Sequence, residues 1–141
     1  MNHSFTTYYG KHKAFDLAVW LNFEHRLKSE EFGAIQGANE QYLVVPTDHP
    51  SFEGEKFEKL PNSYRNMTYD HIQQIAMDYD PLPFWEIIRG MMSTGDGEVL
   101  RFILKYNVPL HKFIRFELAA RGYDADHRWC GFESARKIWL R

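Results

Sequence analysis

A chain of 141 residues with formal net charge −2, 44% hydrophobic and 26% charged residues has the size and composition of one globular domain. The near-neutral balance excludes a strongly basic coat for nonspecific nucleic-acid binding, while segregated charge still allows a local basic stripe. Cys130 is the single cysteine, so no internal disulfide exists and nothing argues for secretion.

No apolar run approaches the roughly 20 residues that span a bilayer. The opening MNHSFTTYYGKHK lacks an apolar run after its charges and does not read as a signal peptide. The expected location is cytoplasmic. Aromatics reach 16%, enough for a dense core or for an interface.

In chain order, Ser4 to Tyr9 is rich in Thr, Tyr and Phe and predicts a strand. Residues 14–28 carry two patterns. Phe15, Leu17, Val19, Leu21 and Phe23 alternate as a strand would. Leu17, Trp20, Leu21, Glu24, Leu27 and Lys28 form a helical face with a favourable Glu24–Lys28 pair. The segment is long and lacks breakers, so the reading is helix. Residues 32–36 and 41–45 predict a hairpin across Gly37-Ala38-Asn39-Glu40, with Pro46 ending the second strand. Residues 46–67, with Pro46, Pro50, Gly54 and Pro61, predict a long surface loop.

Thr68 is a good N-cap for a helix over 69–79. Pro81 and Pro83 precede a second helix over 84–92, closed by Ser93-Thr94-Gly95. Asp96 caps a third over 97–106. Asn107-Val108 links it to a fourth that begins at Pro109 and runs to Arg121, with Gly122 at C′. The loop 123–131 leads to a last helix over 133–140. The predicted fold is therefore α+β and mostly helical. A small N-terminal antiparallel sheet with a hairpin packs on a C-terminal cluster of four or five short helices. One domain is expected over 1–141, strand-rich to residue 66 and helical from 67.

The most structured functional signal is residues 97–121, which resemble a helix-turn-helix as a supersecondary unit. Ile103, Asn107, Val108 and Phe113 stand where such a unit needs apolar contacts and a residue tolerant of left-handed backbone. Arg101, Lys105, His111, Lys112 and Arg115 supply basic side chains for phosphates or base edges. Pro109, Phe102 and Phe116 depart from the pattern, and a plain helical hairpin is the commoner reading. Glu117 and Arg121 share an arc with Leu110, Ile114 and Leu118. They read as a structural ion pair or as the polar floor of a ligand site.

Asp124, Asp126, His127 and Cys130 are metal-ligand types in one loop, but no second ligand pair accompanies them and no metal is expected. Spacing alone does not make Cys130 and His127 a nucleophile and base. Thr47-Asp48-His49 brings an acid and a base together without a catalytic pattern. Gly-rich phosphate loops and the GxSxG elbow are absent, and no catalytic residue or cofactor is assigned. Phe52, Phe57, Tyr64 and Tyr69 punctuate the long loop and its exit, either stapling it or forming a binding face.

The expected function is a small non-enzymatic interaction protein, an accessory or modulator acting on a larger protein partner. A homodimer is the expected assembly. The alternative is a nucleic-acid-binding module using residues 97–121. A small hydrolase or metal enzyme comes third.

Overall fold

The computed structural model describes residues 7–141. They form two compact units, one up to Ser93 and one over Thr94–Arg141. Six α-helices and one two-stranded sheet make an α+β, mostly helical protein: α1 (Lys11–Glu24), β1 (Phe32–Gln36), β2 (Tyr42–Pro46), α2 (Tyr69–Met77), α3 (Pro83–Thr94), α4 (Gly97–Tyr106), α5 (Leu110–Arg121) and α6 (Phe132–Trp139). No helix among the described residues is long and apolar enough to cross a membrane.

In the N-terminal unit, α1 covers the sheet. Ala14 and Ala18 are fully buried on it, as is Ala34 on β1. Side chains this small let the helix come close to the strands, and Tyr9, Phe15, Val44 and Leu60 fill in around Ala14, Ala34 and Tyr42. The strands pair antiparallel from Phe32↔Pro46 to Gln36↔Tyr42. The second strand thus begins one residue later than the sequence predicts and includes Pro46. Its connection is tightened by left-handed backbone at Asn39 and Glu40. Part of the strand predicted over residues 4–9 lies outside the described residues. Tyr9 forms an isolated bridge with Tyr42, each N–H donating to the other's carbonyl at 2.9 Å.

The helical pattern of residues 14–28 prevails over the alternating one, but α1 ends at Glu24. Lys28 therefore lies beyond it, and the expected Glu24–Lys28 helical pair does not form. The reason is a contact with the sheet. The Asn22 amide donates to the Phe32 carbonyl at 3.0 Å, and its side-chain oxygen accepts from the Phe32 N–H at 2.6 Å. This clamp sits two residues before the helix end and joins it to the start of β1. Further on, the Glu58 N–H donates to the Ala34 carbonyl at 2.8 Å, tying the long loop to the free edge of β1. Phe57 lies against Gly33 so closely that a Cβ there would sit 2.6 Å from its ring.

The predicted caps form. Thr68 accepts from the His71 N–H, and Asp96 accepts from the N–H groups of Glu98 and Val99. Asn107 and Gly122 are left-handed at the ends of α4 and α5. In the C-terminal unit α5 packs on α6. Arg115 Nε donates to the Trp139 carbonyl at 2.6 Å, and the Trp139 indole donates to the Tyr123 carbonyl at 2.8 Å. The loop after α5 brings Trp129 and Phe132 together at the surface. They are 61% and 55% exposed and stack edge-on against each other beside Gly122, where a Cβ would meet Trp129 at 2.5 Å.

Asn22→Ala removes both halves of the α1–β1 clamp and leaves the Phe32 backbone groups without their partner. Denaturant unfolding followed by circular dichroism should show a loss of about 1–3 kcal/mol.

Candidate functional site

Three segments of the N-terminal unit place titratable side chains together. On α1, His12 and Asp16 are four residues apart and share a face. On α2, His71 stands three residues after its cap Thr68, whose hydroxyl accepts the His71 N–H at 3.2 Å and fixes the first turn. The long loop delivers Tyr64.

Asp16 and His71 are the buried polar residues of the described chain, 4% and 7% exposed. Their side chains meet at 3.0 Å between Asp16 Oδ2 and His71 Nε2. An ionised carboxylate only accepts, so Nε2 carries the proton and the ring orientation is fixed. His12 stacks on His71 with ring centroids 4.2 Å apart and planes 20° from parallel. Its pKa is lowered from 6.5, chiefly by partial desolvation, then by the neighbouring His71 and Lys11, with Asp16 pulling the other way.

The second oxygen of Asp16, Oδ1, is buried and has no hydrogen-bond partner among the described residues; the Tyr64 hydroxyl is in the same position. Burial raises the Tyr64 pKa, and the charge and acceptor oxygen of Asp16 raise it further. The phenol therefore keeps its proton at neutral pH. The two groups are close enough to interact but do not reach hydrogen-bond geometry. Such orphaned atoms are costly unless something completes them.

Asp16 and Tyr64 belong to the walls of two cavities. One is a polar cleft of about 550 Å³, to which Lys11, His12, Lys59, Asn62 and His71 also contribute. The other is an aromatic pocket of about 300 Å³ formed with Trp20, Phe23, Phe84 and Trp85. A carboxylate there can take a hydrogen-bond donor or a cation, beside an imidazole whose orientation Asp16 fixes. Among the described residues no group of three or more His, Cys, Asp or Glu side chains is placed to hold a metal ion.

The sequence reading found Tyr64 as a loop aromatic and missed Asp16, His12 and His71 as a group. Their only signals were the four-residue spacing on α1 and a histidine behind a strong cap. The other loop aromatics have separate roles. Phe57 staples the loop to β1, Phe52 lies beside His49 with ring centroids 5.7 Å apart, and Tyr69 is 90% exposed. His49 Nδ1 accepts from the Ser51 N–H and so serves the backbone.

The basic residues proposed for nucleic acid lie in the C-terminal unit. Arg101 pairs with Glu98, and the Lys105 ammonium is 5.5 Å from the Tyr106 ring centroid. Arg115 is held by the carbonyls of Trp139 and Ile138, whereas His111 and Lys112 are exposed. Glu117 and Arg121 pair at 3.1 Å with both side chains about 60% exposed, a surface bridge on α5. Asp124 accepts from the N–H groups of Asp126 and Arg128, His127 stacks on Tyr123, and Cys130 Sγ contacts the Gly122 carbonyl.

The chain matches no protein-family model, no curated protein and no solved structure.

His71→Ala leaves the Asp16 carboxylate buried without its partner, and equilibrium unfolding should lose about 3 kcal/mol. His12 gives a pH dependence of known sign. With its folded pKa lowered, the unfolded chain binds more protons below pH 6.5, so its contribution to stability holds above that pH and is lost as pH falls. His12→Gln should therefore flatten the acid side of the stability–pH profile and change little at pH 8.

Proposed function

We propose that the protein is a small binding protein that docks on a larger partner protein through apolar helical faces. The carrying observation is the exposure of helical stripes that a solitary chain has no reason to display. In the N-terminal unit, Phe84, Ile87, Ile88 and Met91 of α3 follow the i, i+3, i+4, i+7 spacing of a helix seam, and all four are exposed. In the C-terminal unit, Val99, Phe102 and Tyr106 repeat the spacing on α4, and Leu110, Phe113 and Ile114 do so on α5.

Burial within that unit is slight. Its buried apolar side chains are Ala119 and Ala135, each too small to anchor a core. Exposed apolar patches of this kind mark interaction sites. Met91 and Met92 add flexible, polarisable contacts suited to an irregular partner. The occupant that fits is an apolar helix or groove of another protein. A nucleic-acid partner has less to hold, since Arg115 is committed to α6 and Arg101 to Glu98. A second reading, a small hydrolase, draws support from His12 stacked on the oriented His71 at the edge of the polar cleft.

A photo-crosslinking residue at Ile87 or Phe102 should give a discrete adduct with another protein in cells, and one at exposed Glu55 should give none. Adducts of twice the chain mass would identify a second copy as the occupant, and equal labelling from all three sites would overturn the reading. Once the partner is identified, Ile87→Lys with Met91→Lys should weaken its binding at least tenfold, because each apolar side chain kept from burial forfeits about 1.5–3 kcal/mol.

A further inference from the structure

The aromatic pocket of the N-terminal unit has a composition that docking through apolar stripes does not require. Its walls are set at steep angles. Trp20 and Phe84 stand 4.4 Å apart between centroids at 88°, Phe23 and Phe84 5.5 Å at 66°, and Tyr64 and Trp85 5.0 Å at 84°. These rings surround one volume from several directions. Asp16 also contributes to the wall, and its Oδ1 is buried and has no hydrogen-bond partner among the described residues.

An apolar ligand would be met by the rings and by Val19, Leu82 and Ile88, and would leave the Asp16 carboxylate uncompensated. An anion would meet the negative faces of the rings and a carboxylate. A cation with an apolar coat satisfies both features. Its charge is attracted by the ring quadrupoles and by Asp16, while its methyl or methylene groups fill the apolar volume. One ring of the cluster already holds such a charge, the Arg26 guanidinium lying 4.3 Å from the Phe23 centroid. The volume of about 300 Å³ accommodates an alkylammonium head with a short stem and is at the lower end for larger ligands.

We infer that the pocket enclosed by Trp20, Phe23, Phe84, Trp85, Tyr64 and Asp16 binds an alkylammonium group carried on an apolar stem. The inference goes beyond docking and does not depend on it, since every residue involved lies in one unit and the test needs no partner. The head group has two sources, a free small amine or a lysine side chain of a docked protein. Phe84 and Ile88 line the pocket and also belong to the exposed stripe of α3, so a lysine arriving on that stripe has a short path in.

The test uses the full chain labelled with nitrogen-15 and reads the indole N–H resonances of its four tryptophans, assigned by single Trp→Phe variants. The probes are choline and its uncharged isostere 3,3-dimethyl-1-butanol. Saturable shifts at Trp20 and Trp85 with choline, at least about tenfold weaker with the alcohol, are expected for a cation bound by rings and a carboxylate. Equal responses to both probes would show an apolar pocket without charge selection and overturn the inference. So would no response, or one confined to Trp129 and Trp139.

Asp16→Asn should lower choline affinity about tenfold without changing that of the alcohol. Because Asp16 also holds His71, Phe84→Leu serves as the second variant. It retains apolar volume, removes one ring and should weaken choline alone. Peptides carrying lysine or norleucine at one position distinguish the sources: tighter binding of the lysyl peptide than of choline assigns the group to a partner protein, and the reverse assigns it to a free amine.

Discussion

The 3.0 Å bond between Asp16 and His71 is the constraint on which the N-terminal unit turns. A carboxylate taken out of water must be compensated, and the compensation available inside this chain comes from a residue 55 positions away. The bond draws α2 against α1, and the Thr68 cap determines where His71 stands along α2. Lys13 supports the same approach by pairing with Asp78 at 2.9 Å, at the other end of α2. There burial pushes the Asp78 carboxyl up, but its hydrogen bonds from Lys13 and the Asp80 N–H, with the Lys13 charge, bring it below the usual range. With α1 also clamped to β1 by Asn22, one helix orders the sheet on one side and α2 on another.

Among the described residues that arrangement leaves Asp16 with one satisfied oxygen and one without a hydrogen-bond partner. A purely structural buried pair is normally completed by further hydrogen bonds, because a half-satisfied group in low dielectric is costly. The unfilled valence of Asp16 and the neighbouring unpaired Tyr64 hydroxyl stand at the boundary between a polar cleft and an aromatic pocket. Under the proposed cation binding, the same physics that makes the pair expensive would favour a ligand that brings a positive charge.

Apolar surface is distributed in a way that complements this centre. The helix–sheet contact joins Ala14 to Ala34 and Tyr42, and Val45 is the largest fully buried side chain. The bulky side chains that composition promises for a core stand instead on the outside of α3, α4 and α5. In the helical segments the aromatic surplus visible in the sequence therefore lies largely at the surface. In the N-terminal unit it also walls the pocket beside Asp16.

Local chemistry in the sequence determined much of the secondary structure. Thr68, Asp96, Asn107 and Gly122 act within three residues of themselves, through side-chain acceptors for free N–H groups or tolerance of left-handed backbone, so their effects are readable without a fold. The hairpin of residues 32–46 and the mostly helical α+β class follow from similarly short-range patterns. Tertiary structure decided the rest. The early end of α1 depends on Asn22 meeting Phe32, and the exposure of Trp129 and Phe132 depends on what packs over Gly122. The candidate site depends on His12 and Asp16 facing a histidine brought in by a separate helix. Periodicity ranks Asp16 and His71 as surface residues, because burial of a charge is a property of the partner it finds, and that partner is separated from it in sequence and adjacent only in space.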